Sequence, residues 1–335
     1  MTTDRAHRAS RRAFLGGLAA AVSAAPAMAA PSTAASAYRA PRNALGQPDL
    51  SGIWTNGYYT RLERAKAFTS LVISPAEAAK AEALFRKTGN FLGVVDPLGQ
   101  KDSEFWDVGP GLARVRGEIR TSWIVDPPDG RIPFRPELEA LLRVRPQDAE
   151  RPLDDPEAQD VTTRCVASEG GSPPNINSPD GNFLQILQTR DHVALLAEKY
   201  HDLRIVRLGG RHDPPAVQSW LGDPVGRWEG ETLVIESTNL CPSTLDRVGR
   251  IKVSRATVMV ERFTRAAPDE LLYEFAITDP TFYTQTWRAE MPFRASPGPI
   301  YEYTCHEGNY SLPGMMAATR KAEREAAGRT GAAAP

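Results

Sequence analysis

The chain has only three cysteines in 335 residues, with no Cys-x-x-Cys pair and no tight Cys/His spacing, which argues against a structural zinc site or an attached haem. It has no G-x-G-x-x-G opening a helix after a strand, no G-x-x-x-x-G-K-[ST], no G-x-S-x-G and no H-E-x-x-H. Nucleotide-dependent chemistry, a serine-hydrolase elbow and a zincin are therefore poor candidates. Neither sign of charge is in excess, since 40 Lys and Arg face 41 Asp and Glu, so nothing points to nucleic acid or an anionic membrane surface as partner. Long apolar runs are also missing. The stretch 13–25 is short and Ala-rich, whereas a stable membrane span needs about 20 strongly apolar residues. There is no internal repeat. What the chain does have is 28 prolines and 26 glycines, which predict many turns and few long helices.

The first thirty residues read as an address. Ser10-Arg11-Arg12-Ala13-Phe14-Leu15-Gly16 is an S-R-R-x-F-L-G pattern, followed by an Ala/Gly/Leu/Val run and the small-residue site Ala27-Met28-Ala29. This is the grammar of a bacterial twin-arginine signal over residues 1–29, with the export machinery as partner and the periplasm or medium as destination. Cleavage after Ala29 leaves 36 basic and 40 acidic residues, a formal charge of −4. The route accepts folded cargo, so it admits a metal inserted before export without naming one.

Residues 30–48 read as a Pro/Ala/Ser linker, 49–316 as one β-rich domain and 317–335 as a disordered tail that starts as a frayed helix. Within the domain, 49–160 mixes helix and strand. Ser74-Pro75-Ala76-Glu77 is a capping box with Pro at the first helical position, predicting a helix over 75–87. A second short helix is expected over 136–144, and a turn at 127–130 between two strands. From 161 to 316, short segments alternate with turn signals: 183–189, 192–200, 203–208, 232–237, 256–263, 271–278, 283–293 and 299–305. Their spacing predicts an antiparallel β-barrel or sandwich. The clearest strand sets Tyr283, Gln285, Trp287, Ala289, Met291 and Phe293 against Thr284, Thr286, Arg288 and Glu290, one buried face and one wet.

After cleavage four histidines remain, each beside a carboxylate: His192 with Asp191, His201 with Asp202, His212 with Asp213 and His306 with Glu307. Histidine suits both proton transfer near neutral pH and metal ligation. His201 ends the segment 193–201, on the face of Leu195, Ala197 and Lys199 and opposite Glu198. His212 and Asp213 lie in the Gly/Pro-rich stretch GGRHDPP. GDPVGRWEGETLVIES reads as a tight corner in which Gly226 and Gly230 serve turns, Trp228 covers an apolar end and Arg227 pairs with a carboxylate. In YEYTCHEGNYSLPG, Cys305 shares a face with Tyr301 and Tyr303, and His306 takes the other side. Cys165 and Cys305 are the expected disulfide, and Cys241, beside Pro242 in a turn, the odd thiol.

PDLSGIW, GDPVGRWEGETLVIESTN, VERFTR, YEFAITDPTFYTQTW and YEYTCHEGNYSLPG together resemble a large group of exported bacterial proteins of uncharacterised function, over residues 47–320. More distantly, the Gly-x-Trp opening at Gly52 and the many strands resemble lipocalin-like barrels. That resemblance implies a cavity for a small apolar molecule and, in some members, hydratase, lyase or cyclase activity. The reading that follows is a periplasmic, cofactor-independent acid/base enzyme for a small apolar or aromatic molecule: a lyase, isomerase, hydratase or hydrolase. His201, His306 and His212 would be catalytic, Tyr283 and Trp287 would line the pocket, and Arg227 would receive an anion. Two alternatives stay open. One is a binding protein without turnover. The other is an enzyme holding a divalent metal through His201, His212, Asp213, His306 and Glu307.

Overall fold

Trp54, in the Gly-x-Trp tripeptide, sits at the seam where a sheet closes on itself. The computed structural model describes residues 38–88, 109, 111–138, 156–159, 161–167, 173–178, 180–248 and 251–331. All of them belong to one compact unit, Ser36–Pro335; the signal on 1–29 and much of the helix expected over 136–144 lie outside the described residues. The strands in chain order are β1 Gly52–Thr55, β2 Val72–Ile73, β3 Arg114–Val115, β4 Glu118–Arg120, β5 Ile124–Asp126, β6 Phe183–Gln188, β7 His192–Ala197 and β8 Leu203–Leu208. They continue with β9 Asp223–Glu229, β10 Thr232–Thr238, β11 Ser243–Val248, β12 Ile251–Val253, β13 Val258–Ala267, β14 Glu270–Thr278 and β15 Trp287–Ala295. The helices α1 Pro75–Thr88 and α2 Ser311–Gly331 accompany them.

Around the ring the order is β1-β6-β7-β8-β9-β10-β13-β14-β15, and β1 pairs with β15 as well as β6, Trp54 lying opposite Ala295 and Leu184. This closed barrel therefore has nine strands, with β5 added outside the ring against β15. A closed ring with an odd number of strands cannot be antiparallel throughout. The exception is β8–β9, which run parallel with Arg207 opposite Val225. The expectation of an antiparallel barrel is thus corrected to a mixed one. A parallel pair needs a long return connection, and residues 209–222 supply it.

That seam also corrects the reading of GDPVGRWEGET. Gly226 is not a turn residue but the middle of β9, opposite Leu208. A Cβ there would lie 2.7 Å from Val206 Cγ1, so only glycine lets the two strands approach this closely. Gly230, with φ of +63°, makes the two-residue hairpin turn into β10.

The barrel interior is filled. Alternate residues of β10, β13, β14 and β15 point inward, placing Leu233, Ile235, Met259, Phe263, Tyr273, Phe275, Trp287, Met291 and Phe293 in one core with Trp54. Phe263 and Tyr273 stack at 4.6 Å between ring centroids, and Phe275 meets Trp287 edge-on at 5.6 Å. Among these apolar residues sits one buried ion pair. Arg204 Nη1 and Nη2 donate to Glu261 Oε2 and Oε1 at 2.5 and 3.0 Å, the Tyr273 hydroxyl donates to Oε1 at 2.6 Å, and Asn175 Oδ1 accepts from Arg204 at 2.5 Å. Burial, then the Glu261 charge, holds the Tyr273 phenol well above its ordinary pKa.

At α1 the capping box is formed as expected: Ser74 N donates to Glu77 Oε2 at 2.9 Å and Glu77 N to Ser74 Oγ at 3.3 Å. In the C-terminal segment the helix α2 begins at Ser311, six residues before the expected start of the tail at Ala317. Asn309 supplies its cap, Oδ1 accepting from Leu312 N at 3.2 Å.

Candidate functional site

The segment 299–305 is not a strand. Its alternate N–H groups nevertheless point one way, as at a sheet edge, and side chains replace the missing neighbour. Tyr301 N donates to Glu198 Oε2 at 3.1 Å and Tyr303 N to His201 Nε2 at 3.0 Å. Glu198 and His201 were expected on opposite faces of one strand. They act together because β7 ends at Ala197 and the chain turns through a short 3-10 segment, Lys199–His201, in which Tyr200 (φ 62°) and His201 (φ 53°) are left-handed.

Cys165 is left-handed as well, at φ 55°, and bonds to Cys305 across a sequence separation of 140 residues. Among the described residues, three of the five non-glycine residues with positive φ are thus at this one place. Such residues cost about 1–3 kcal/mol each and persist where the surroundings over-determine them, commonly at functional sites. The surroundings here are the disulfide, a Tyr200 hydroxyl donating to Thr162 O at 2.9 Å, the Tyr200–Tyr303 ring pair at 5.3 Å, and Asn309 Nδ2 donating to Thr163 O at 2.6 Å.

Two clefts flank the disulfide. The smaller, about 160 Å³, is lined by Tyr200, His201, Glu302, His306 and Glu307 among others. The larger, about 530 Å³, runs between Thr162, Thr163, Asn309, Ser311 and Met315. Cys165, Glu302, Tyr303, Thr304 and Cys305 line both. Behind them the Tyr303 hydroxyl donates to Asp180 Oδ2 at 3.1 Å, and Lys199 Nζ, almost buried, pairs with Asp180 Oδ1 at 2.9 Å. A backbone N–H can donate only to an unprotonated ring nitrogen, so the contact from Tyr303 N makes His201 a neutral imidazole with its proton on Nδ1.

The other residues singled out in the sequence are elsewhere. His212 is held between Asp223 (Nδ1 to Oδ2, 3.0 Å) and Glu236 (Nε2 to Oε1, 3.2 Å), with Asp213 N also donating to Asp223 at 2.7 Å. Its ring fastens the 209–222 connection to the β9–β10 wall. Arg227 points outward, more than half exposed, and pairs with Glu229 at 2.6 Å. Tyr283 and Trp287 are 2 % and 0 % exposed, packed inside the barrel, the Tyr283 hydroxyl donating to Lys252 O. The proposed metal set is therefore split between two places, and among the described residues no group of three or more His, Cys, Asp and Glu is arranged to hold a metal ion.

Glu198, Tyr200, Tyr303, Asp180 and Asn309 were not all singled out by the sequence. The tyrosine- and carboxylate-rich runs EKYH and YEYTCHEGN carry the signal, but their meeting depends on the turn after Ala197. Comparison with protein-family models, with curated proteins and with solved structures finds no match for this chain, so the geometry alone carries the functional reading. The disulfide fits an oxidising compartment outside the cytosol. Among the described residues no helix is long and apolar enough to cross a membrane.

Proposed function

We propose that this is an exported, cofactor-independent acid/base enzyme acting on a small molecule in the clefts beside Cys165–Cys305, reached by the twin-arginine route and related to the exported bacterial group it resembles. One observation carries the reading: His201 and His306, far apart in sequence, line a single cleft with two carboxylates and two phenols. In this reading His306 takes and returns the proton, and neutral His201 offers Nδ1–H as a hydrogen-bond donor to a developing oxyanion. Elimination, isomerisation, hydration and hydrolysis all need these two roles. The hydroxyls, carboxylates and imidazoles of the lining favour a polar substrate over the apolar one that the barrel resemblance implies.

Binding without turnover is the second reading. It is favoured by the fact that His201 Nε2 is already engaged by Tyr303 N. Incubating the protein with pooled small polar compounds and following each by mass spectrometry separates the two. Conversion by the wild type that falls at least about 100-fold in His306→Ala, with the fold retained, supports the enzyme. Conversion undiminished in His306→Ala removes the assigned base and with it this mechanism.

A further inference from the structure

Resting on the reading of the clefts as the site, we infer that their ligand is a small organic cation, with its charge on an ammonium nitrogen. Glu302 lines both clefts and Glu307 the smaller one, and neither lining contains a lysine or an arginine. Among the described residues, the cations that neighbour lining residues in sequence are committed elsewhere. Lys199 is paired to Asp180 on the far side of Tyr303, and the Arg164 guanidinium lies over the Trp220 ring at 5.6 Å. His201 accepts from Tyr303 N, so it adds no positive charge. Among the described residues, an anionic ligand in the smaller cleft would meet two carboxylates, with His306 as the one lining side chain left to carry a positive charge.

The aromatic component points the same way. Tyr200 and Tyr303 line the smaller cleft as a tilted pair, 5.3 Å between centroids. The Tyr303 hydroxyl donates to the Asp180 carboxylate, which pushes electron density into the ring and strengthens its attraction for a cation. Phenol faces beside carboxylates are what recognises an ammonium group, whether protonated or quaternary. An inorganic ion fits less well, because a bare divalent cation needs several convergent oxygen or nitrogen ligands and no such group exists among the described residues.

Isothermal titration with choline chloride and its uncharged isostere 3,3-dimethylbutan-1-ol, with acetate as the anionic control, tests this. The expected result is that choline binds about tenfold more tightly than the alcohol, acetate not at all, and that Glu302→Gln with Glu307→Gln removes the preference. Both glutamates are exposed, so the exchange leaves the fold intact. Equal binding of choline and the alcohol, stronger binding of acetate, or a preference unchanged in the double variant would each overturn the cation assignment. Those results leave the acid/base reading standing, since that is decided separately by His306→Ala. No binding of any probe by a protein that converts a different compound would also overturn it.

Discussion

At the scale of single residues, His201 does two jobs that a substitution can separate. Its Nε2 accepts the Tyr303 amide that holds the 301–303 segment, and its backbone occupies a left-handed conformation. Asn tolerates that conformation and offers an amide oxygen, whereas Ala does neither. His201→Ala should therefore lose about 2 kcal/mol of stability and His201→Asn about half as much, read from urea midpoints. Equal losses would show that the contact to Tyr303 N carries no weight. The sequence reading put this histidine at the end of a strand over 193–201, but the strand ends at Ala197. Alternation was carried four residues past Ala197, and a left-handed tyrosine gives no signal in composition.

At the scale of elements, the barrel wall explains both what was readable and what was not. The strands β6, β8, β10 and β14 follow their expected ranges closely, and β13 runs four residues beyond its own, because β-branched and aromatic residues at period two mark a half-buried strand wherever it lies. β9 was hidden, since Asp-Pro-Val-Gly looks like a turn and its glycine serves close approach instead. The inward charges were legible in principle: alternation sets Glu261 with Met259 and Phe263, and Arg204 with Val206. Their meeting across the interior was not, because it depends on the order of strands around the ring. Removing one partner strands the other charge in a dry core, so Glu261→Leu or Arg204→Met alone should cost about 3–5 kcal/mol. The double variant Arg204→Met/Glu261→Leu should recover most of that loss. Strictly additive losses in this cycle would mean that the two side chains are not coupled.

At the scale of the whole molecule, the proposed site lies outside a filled barrel. Tyr283 and Trp287, expected to line a pocket, are instead packed in the barrel core, and the two clefts lie where segment 162–165, the 198–201 turn and segment 301–309 converge. The disulfide was foreseeable from three cysteines in an oxidising compartment. The clefts beside it were not, because they require the barrel to bring together parts of the chain about 140 residues apart. In the chain-entropy model this closure stabilises the fold by about 5 kcal/mol, and the bridge also lines both clefts. The central claim, that the functional site is this stapled place, is best tested by mapping a library of polar fragments on the protein by amide chemical shifts, beside the Cys165→Ser/Cys305→Ser variant. The account predicts hits that move the amides of 162–165 and 302–309 and that are lost in the variant while the barrel amides of β13 to β15 remain native. Hits that gather on β13 to β15, or that persist without the bridge, would contradict it.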